Sequence, residues 1–118
     1  MREFIGDQGE VTIIKIEELP KIEMIEHDER TTEGLPIISH SESGNNHVME
    51  RPVKVMKPKK QIAQAMDAFY LIVDEANALI QENANDAHER HDLPSGIYEM
   101  RIKRVFDTFM QQARQVAD

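Results

Sequence analysis

Phe69-Tyr70-Leu71-Ile72-Val73, followed by Asp74-Glu75, is the stretch whose reading decides the fold. As a strand it is a compact run of β-favouring residues, and Asp74-Glu75 turns the chain after it. As a helix it belongs to a longer pattern in which Ile62, Met66, Phe69, Val73, Ala76 and Ile80 recur at three- and four-residue spacing. Period alone does not arbitrate a short apolar run. The same choice returns further on. Tyr98, Met100 and Ile102 alternate with Glu99, Arg101 and Lys103, the pattern of a half-buried strand, behind a good turn at Leu93-Pro94-Ser95-Gly96. Yet Tyr98, Ile102, Val105 and Phe109 also share one helical face.

Outward from these two segments the signals are plainer. Residues 9–17 are β-branched and follow a glycine, which predicts a strand. Leu19-Pro20-Lys21 breaks it, because proline has no N–H to give a ladder. Residues 21–26 alternate weakly, residues 27–34 read as a polar loop, and residues 35–39 form a short apolar run. Residues 41–46 (Ser-Glu-Ser-Gly-Asn-Asn) make a clear turn. Residues 47–56 then read as one strand, with Pro52 marking an edge or a bulge. Residues 81–92 read as a mobile polar loop. Residues 107–117 have helical composition, with Asp107 or Thr108 able to cap the first turn.

Several of these blocks, taken in order, resemble a small family of uncharacterised bacterial and phage proteins. The opening is Gln8-Gly9-Glu10-Val11 with Glu18-Leu19-Pro20, similar to the family's Gln-Gly-Asp-Val, apolar strand and Glu-Leu-Pro. Glu42-Ser43-Gly44-Asn45-Asn46-His47-Val48 stands where the family has a Thr-Gly-His-x-His turn, with Asn45 in place of its first histidine. Tyr70-Leu71-Ile72-Val73-Asp74, a strand from Ala76 to Ile80, His88-Glu89-Arg90-His91 and Leu93-Pro94-Ser95-Gly96-Ile97-Tyr98 follow, and Val116-Ala117-Asp118 closes the match. The resemblance implies a mainly β fold and tips residues 69–80 and 97–105 towards strands. It implies no activity. The expected architecture is one domain over residues 1–118, a small barrel or sandwich with a helical excursion near 58–68 and a short C-terminal helix. The alternative is α+β, with N-terminal hairpins packed on helices at 59–83 and 97–116.

Composition narrows the function classes. The 118 residues carry a formal net charge of −8 and no cysteine. Disulfides, thiolate metal sites and cysteine nucleophiles are excluded together, and a reducing cytoplasm suits such a chain, that of a host cell if it is phage-encoded. No apolar run reaches the roughly 18 residues a membrane helix needs, and the first residues are too polar for a signal peptide. The charge is uneven. Residues 1–50 hold four basic residues (Arg2, Lys15, Lys21, Arg30) against twelve acidic ones, whereas residues 51–118 hold ten of each. An acidic half disfavours a nucleic-acid backbone and suits a partner with a basic surface. Two lysine and arginine clusters, Lys54, Lys57, Lys59, Lys60 and Arg101, Lys103, Arg104, read as solvated loop and edge charge.

Candidate chemistry rests on histidine. His40 and His47 flank one turn and His88 and His91 precede another. Were the two loops to meet at one end of the fold, those imidazoles with Glu89 would suit a divalent metal such as zinc. Loop histidines with no joint role are the plainer reading. Ser41, His47 and a glutamate can be written as a nucleophile and its base, but no Gly-x-Ser-x-Gly elbow accompanies them. No phosphate-binding glycine loop occurs. The methionines read as core filler. Phe106, Phe109, Met110, Ala113 and Val116 read as a face docked on the sheet, or else as a dimerisation stripe, which leaves a homo-oligomer open. The sequence therefore favours a non-catalytic interaction module with an acidic surface and no cofactor. The alternative is a metal-dependent small-molecule binder or enzyme using the turn histidines.

Overall fold

The computed structural model describes residues 2–40, 45–60, 66–82 and 90–103. Ten strands run through them: β1 (Glu3–Gln8), β2 (Val11–Ile16), β3 (Met24–His27), β4 (Ile37–Ser39), β5 (His47–Met49), β6 (Val55–Pro58), β7 (Met66–Val73), β8 (Asn77–Gln81), β9 (His91–Leu93) and β10 (Gly96–Lys103). All pairings are antiparallel and form two open sheets. One has six strands in the order β1-β2-β10-β7-β6-β3, the other four in the order β4-β5-β8-β9.

The deciding stretch is strand. β7 pairs with β10 without interruption from Gly96↔Val73 to Lys103↔Met66, so both ambiguous segments settle each other. Phe69, Leu71 and Val73 point into the core beside Tyr98, Met100 and Ile102, and β2 adds Val11 and Ile13 on the far side of β10. Ile38, Met49, Leu79 and Leu93 of the smaller sheet close the same cluster. The two sheets thus share one core, as in a sandwich. No closed barrel forms among the described residues.

Four expectations need correction. The α+β alternative fails at residues 66–73, 77–81 and 97–103, because period-2 pairing buries one face of each strand more completely than a helical stripe would. The helical excursion fails at its ends, where Pro58 closes β6 and Met66 to Ala68 open β7. The single strand over residues 47–56 is two strands in different sheets, with residues 50–54 crossing between them at Pro52. The polar loop expected over residues 81–92 gives up both ends, Gln81 to β8 and His91 and Asp92 to β9. β1 went unread, since Glu3-Phe4-Ile5-Gly6-Asp7-Gln8 has too little β-branched character and bends at a bulge between Phe4 and Gly6. The C-terminal helix lies outside the described residues.

Candidate functional site

The most constrained polar site is built on the β1–β2 hairpin. Gln8 and Val11 pair across a two-residue turn whose first residue, Gly9, has φ +57°, the left-handed region that tight hairpins require. The turn lies against the smaller sheet. A Cβ on Gly9 would stand 3.1 Å from His47 Cε1 and 3.2 Å from Nε2, so glycine serves both the dihedral and the close approach. Gly6, at the bulge of β1, meets His91 in the same way, with a virtual Cβ only 2.7 Å from its Cε1.

Hydrogen bonds fasten the contact. Gln8 is fully buried and its amide donates to the Leu79 carbonyl at 3.0 Å, which leaves Oε1 to accept from His47 Nδ1 at 2.7 Å. The other face of the His47 ring puts Nε2 3.3 Å from Glu10 Oε2. Ser39 Oγ donates to Glu10 Oε1 at 2.9 Å, and His91 Nε2 donates to the Asp7 carbonyl at 2.8 Å. The hairpin tip is therefore tied to β4, β5, β8 and β9 in turn. The order Ser39–Glu10–His47–Gln8 is that of a clamp. A nucleophilic site would set the imidazole against the hydroxyl, and here the carboxylate stands between them.

The other histidines are dispersed. His40 pairs with Glu29 at the surface, and His27 is buried, donating to the Ile37 carbonyl at 2.8 Å with its ring 4.5 Å from that of Phe69. His47 and His91 lie on β5 and β9 with β8 between them. His88, Glu89 and Ser41 lie outside the described residues. Among the described residues no three His, Asp or Glu side chains converge in a way that could hold a metal ion.

A second buried polar group sits on the outer face of the larger sheet. Glu99 is 3% exposed, and its carboxylate accepts from Tyr70 Oη at 2.8 Å, from Arg101 Nε at 2.8 Å and from Arg2. Burial pushes this carboxyl up, but the Arg2 and Tyr70 hydrogen bonds with the Arg101 charge outweigh it and hold it below its ordinary value. Burial first, then the Glu99 carboxylate, pushes the Tyr70 phenol up to about 12. No local sequence signal marks this group, because Glu99 falls in alternation with Arg101 and Lys103 along the strand and reads as solvated charge; its pairing with Tyr70 and Ile14 comes from the neighbouring strands.

The exposed charge is concentrated elsewhere. Residues 17–33 carry seven acids and two bases, and Glu17, Glu18, Glu23, Glu26, Asp28 and Glu29 among them are exposed. This segment includes β3, the outermost strand of the larger sheet. Glu23 meets Lys59 at 3.6 Å, Glu26 meets Arg30 at 3.9 Å, and Glu29 meets His40. Ile22 and Ile25 stand among them with 42% and 43% of their surface exposed. A cleft of about 640 Å³ is lined by Leu19, Met56, Tyr70 and Ile72 with opposed charges from Lys54 and Glu75, and Tyr70, its buried titratable group, is engaged with Glu99.

Fold and site together define a two-sheet antiparallel β domain with a clamped hairpin and an acidic edge. The chain belongs to the family described as a domain of unknown function (DUF8820), whose profile matches residues 7–103. The match begins at Asp7, so it takes in the clamp from the hairpin tip onward. No curated protein and no solved structure matches the chain. Among the described residues no helix is long and apolar enough to cross a membrane.

Proposed function

We propose that this chain is a non-catalytic interaction module that presents an acidic face to a partner with a basic surface. The observation that carries the reading is the exposed run of acids over residues 17–33, which leads from the end of β2 into the edge strand β3 and carries two exposed isoleucines. Among the described residues the buried polar groups are engaged within the fold: His47, Gln8, Glu10 and Ser39 fasten the hairpin, and Glu99 holds Arg2 and Tyr70. An acidic surface with apolar residues among its charges gives both steering and contact area to a cationic partner. Salt dependence tests it. A partner captured on the immobilised chain should stay bound at about 0.1 M salt and leave at about 1 M, where screening shortens the Debye length to about 3 Å. A Glu17→Gln, Glu18→Gln, Asp28→Asn variant should retain less of it. Capture that ignores both salt and these substitutions would refute the reading.

A further inference from the structure

The free edge of β3 has a defined chemistry. Lys59 donates its N–H to the Glu23 carbonyl at 2.9 Å, and the register continues Met24↔Pro58, Ile25↔Lys57, Glu26↔Met56 and His27↔Val55. In an antiparallel pair the hydrogen-bonded positions alternate. With Glu23 bonded towards β6, Ile25 and His27 are bonded towards β6 as well, and Pro58, which has no N–H, falls opposite Met24 where none is needed. The N–H and C=O groups of Met24 and Glu26 therefore point outward. Among the described residues nothing pairs with them, and β3 is the last strand of its sheet.

The other three sheet edges are blunted. β1 is bent by its bulge and has His91 seated on Gly6, β4 is three residues long with a register shift, and β9 is three residues long. β3 has neither a bulge nor a proline, and its exposed apolar residue is Ile25. What guards it is charge. A second copy of this chain pairing on β3 would bring two edges that each carry Glu23, Glu26 and Asp28 side by side, and like charges close together across strands are destabilising. The same acids favour an added strand that carries lysine or arginine.

We propose that the partner docks by adding a basic, extended segment to the β3 edge, hydrogen-bonded to Met24 and Glu26, with alternate side chains meeting Ile25 and the flanking acids. This rests on the acidic-surface reading and specifies how that surface is used. Main-chain bonds give such strand addition its affinity and the alternate side chains its selectivity.

The probe is a labelled eight-residue peptide alternating lysine and valine, with binding read by fluorescence anisotropy on the full chain. Met24→Pro removes the outward N–H without touching a charge or a bond to β6, and should weaken binding about tenfold. The same peptide N-methylated at alternate amides should lose a similar factor on the unaltered protein, which keeps the test valid if the proline variant folds poorly. Glu23→Gln with Glu26→Gln should weaken binding and flatten its salt dependence. Loss on charge removal with no loss from Met24→Pro or N-methylation would overturn strand addition and leave the acidic surface standing. Indifference to charge removal, or no binding of the peptide, would overturn both. A dimer in sedimentation that Met24→Pro abolishes would assign the edge to a second copy and also overturn the proposal.

Discussion

Gly9→Ala isolates the contact on which the hairpin clamp depends. Two costs arise at this position. The left-handed conformation at φ +57° costs an L-residue with a Cβ about 1–2 kcal/mol relative to glycine. The new Cβ would also stand 3.1 Å from His47 Cε1, inside the roughly 3.5–4.0 Å at which carbon atoms rest. His47 has nowhere to retreat, since it is 1% exposed and held on both ring nitrogens by Gln8 and Glu10. Moving the ring by a few tenths of an ångström weakens bonds each contributing about 0.5–1.5 kcal/mol. The sum is about 2–3 kcal/mol.

Gly34→Ala supplies the control. Gly34 has φ +86°, and a Cβ there meets nothing within 4 Å, so it bears the dihedral cost alone, about 1–2 kcal/mol. Both variants and the parent should be unfolded in urea and followed by far-ultraviolet circular dichroism, since the chain has no tryptophan. Gly9→Ala should lie about 1 kcal/mol below Gly34→Ala, and the difference should shrink when both are made in a His47→Ala background. Equal losses, unchanged by His47→Ala, would mean that the imidazole does not pack on the turn, and the clamp would be refuted.

Other consequences are measurable in the same way. The Glu99 carboxyl lies below its ordinary value when folded, so its pairing is fully present at neutral pH and is lost as the pH falls through the folded value; Glu99→Gln should cost about 1–3 kcal/mol at pH 7 and flatten the acid limb of stability below about pH 4. A steep acid limb unchanged in that variant would place the sensitive carboxylate elsewhere. Both tyrosines are raised, Tyr70 to about 12, so tyrosinate absorbance should lag the ordinary phenol value of about 10, and Glu99→Gln should bring one transition down. Zinc should leave the melting temperature unchanged, because His40, His47 and His91 are held in separate contacts; a rise abolished by His47→Ala would revive the metal reading.

What the sequence made legible follows from burial. β2, β7 and β10 lie inside the larger sheet, and their apolar residues alternate or run together as buried strands should. The turn before β10 was equally plain from Pro94 and Gly96. Edges were harder: β1 carries a single β-branched residue, Ile5, and draws its stability from β2, so local propensity had little to show. The split of residues 47–56 between two sheets is a tertiary event, since Pro52 marks a break in pairing without saying where the chain goes next. The polar clamp was visible only in pieces. Gln8, Gly9, Glu10 and His47 each stood in a block of the resemblance, but their meeting depends on β5 entering the opposite sheet. Of the histidines chosen for sitting near turns, His40, His47 and His91 are among the described residues, and each uses a ring nitrogen on a backbone carbonyl or a neighbouring side chain.

The acids divide along the same line. Glu10 and Glu99 come from the same sequence stock as Glu23 and Glu26, yet the first pair is used to join elements and the second is left in water. Joining needs partners for the carboxylate: Glu10, half-buried, accepts from Ser39 and lies 3.3 Å from His47 Nε2, and the buried Glu99 accepts from Tyr70, Arg2 and Arg101. β3 offers no such donors beyond single lysine and arginine contacts at 3.6 and 3.9 Å, which are worth little at the surface. Charges that add so little to stability, on the one unblunted strand edge, serve specificity better: they repel a like copy and attract an opposite one. The folding role and the binding role of this acidic chain are thus carried by different glutamates.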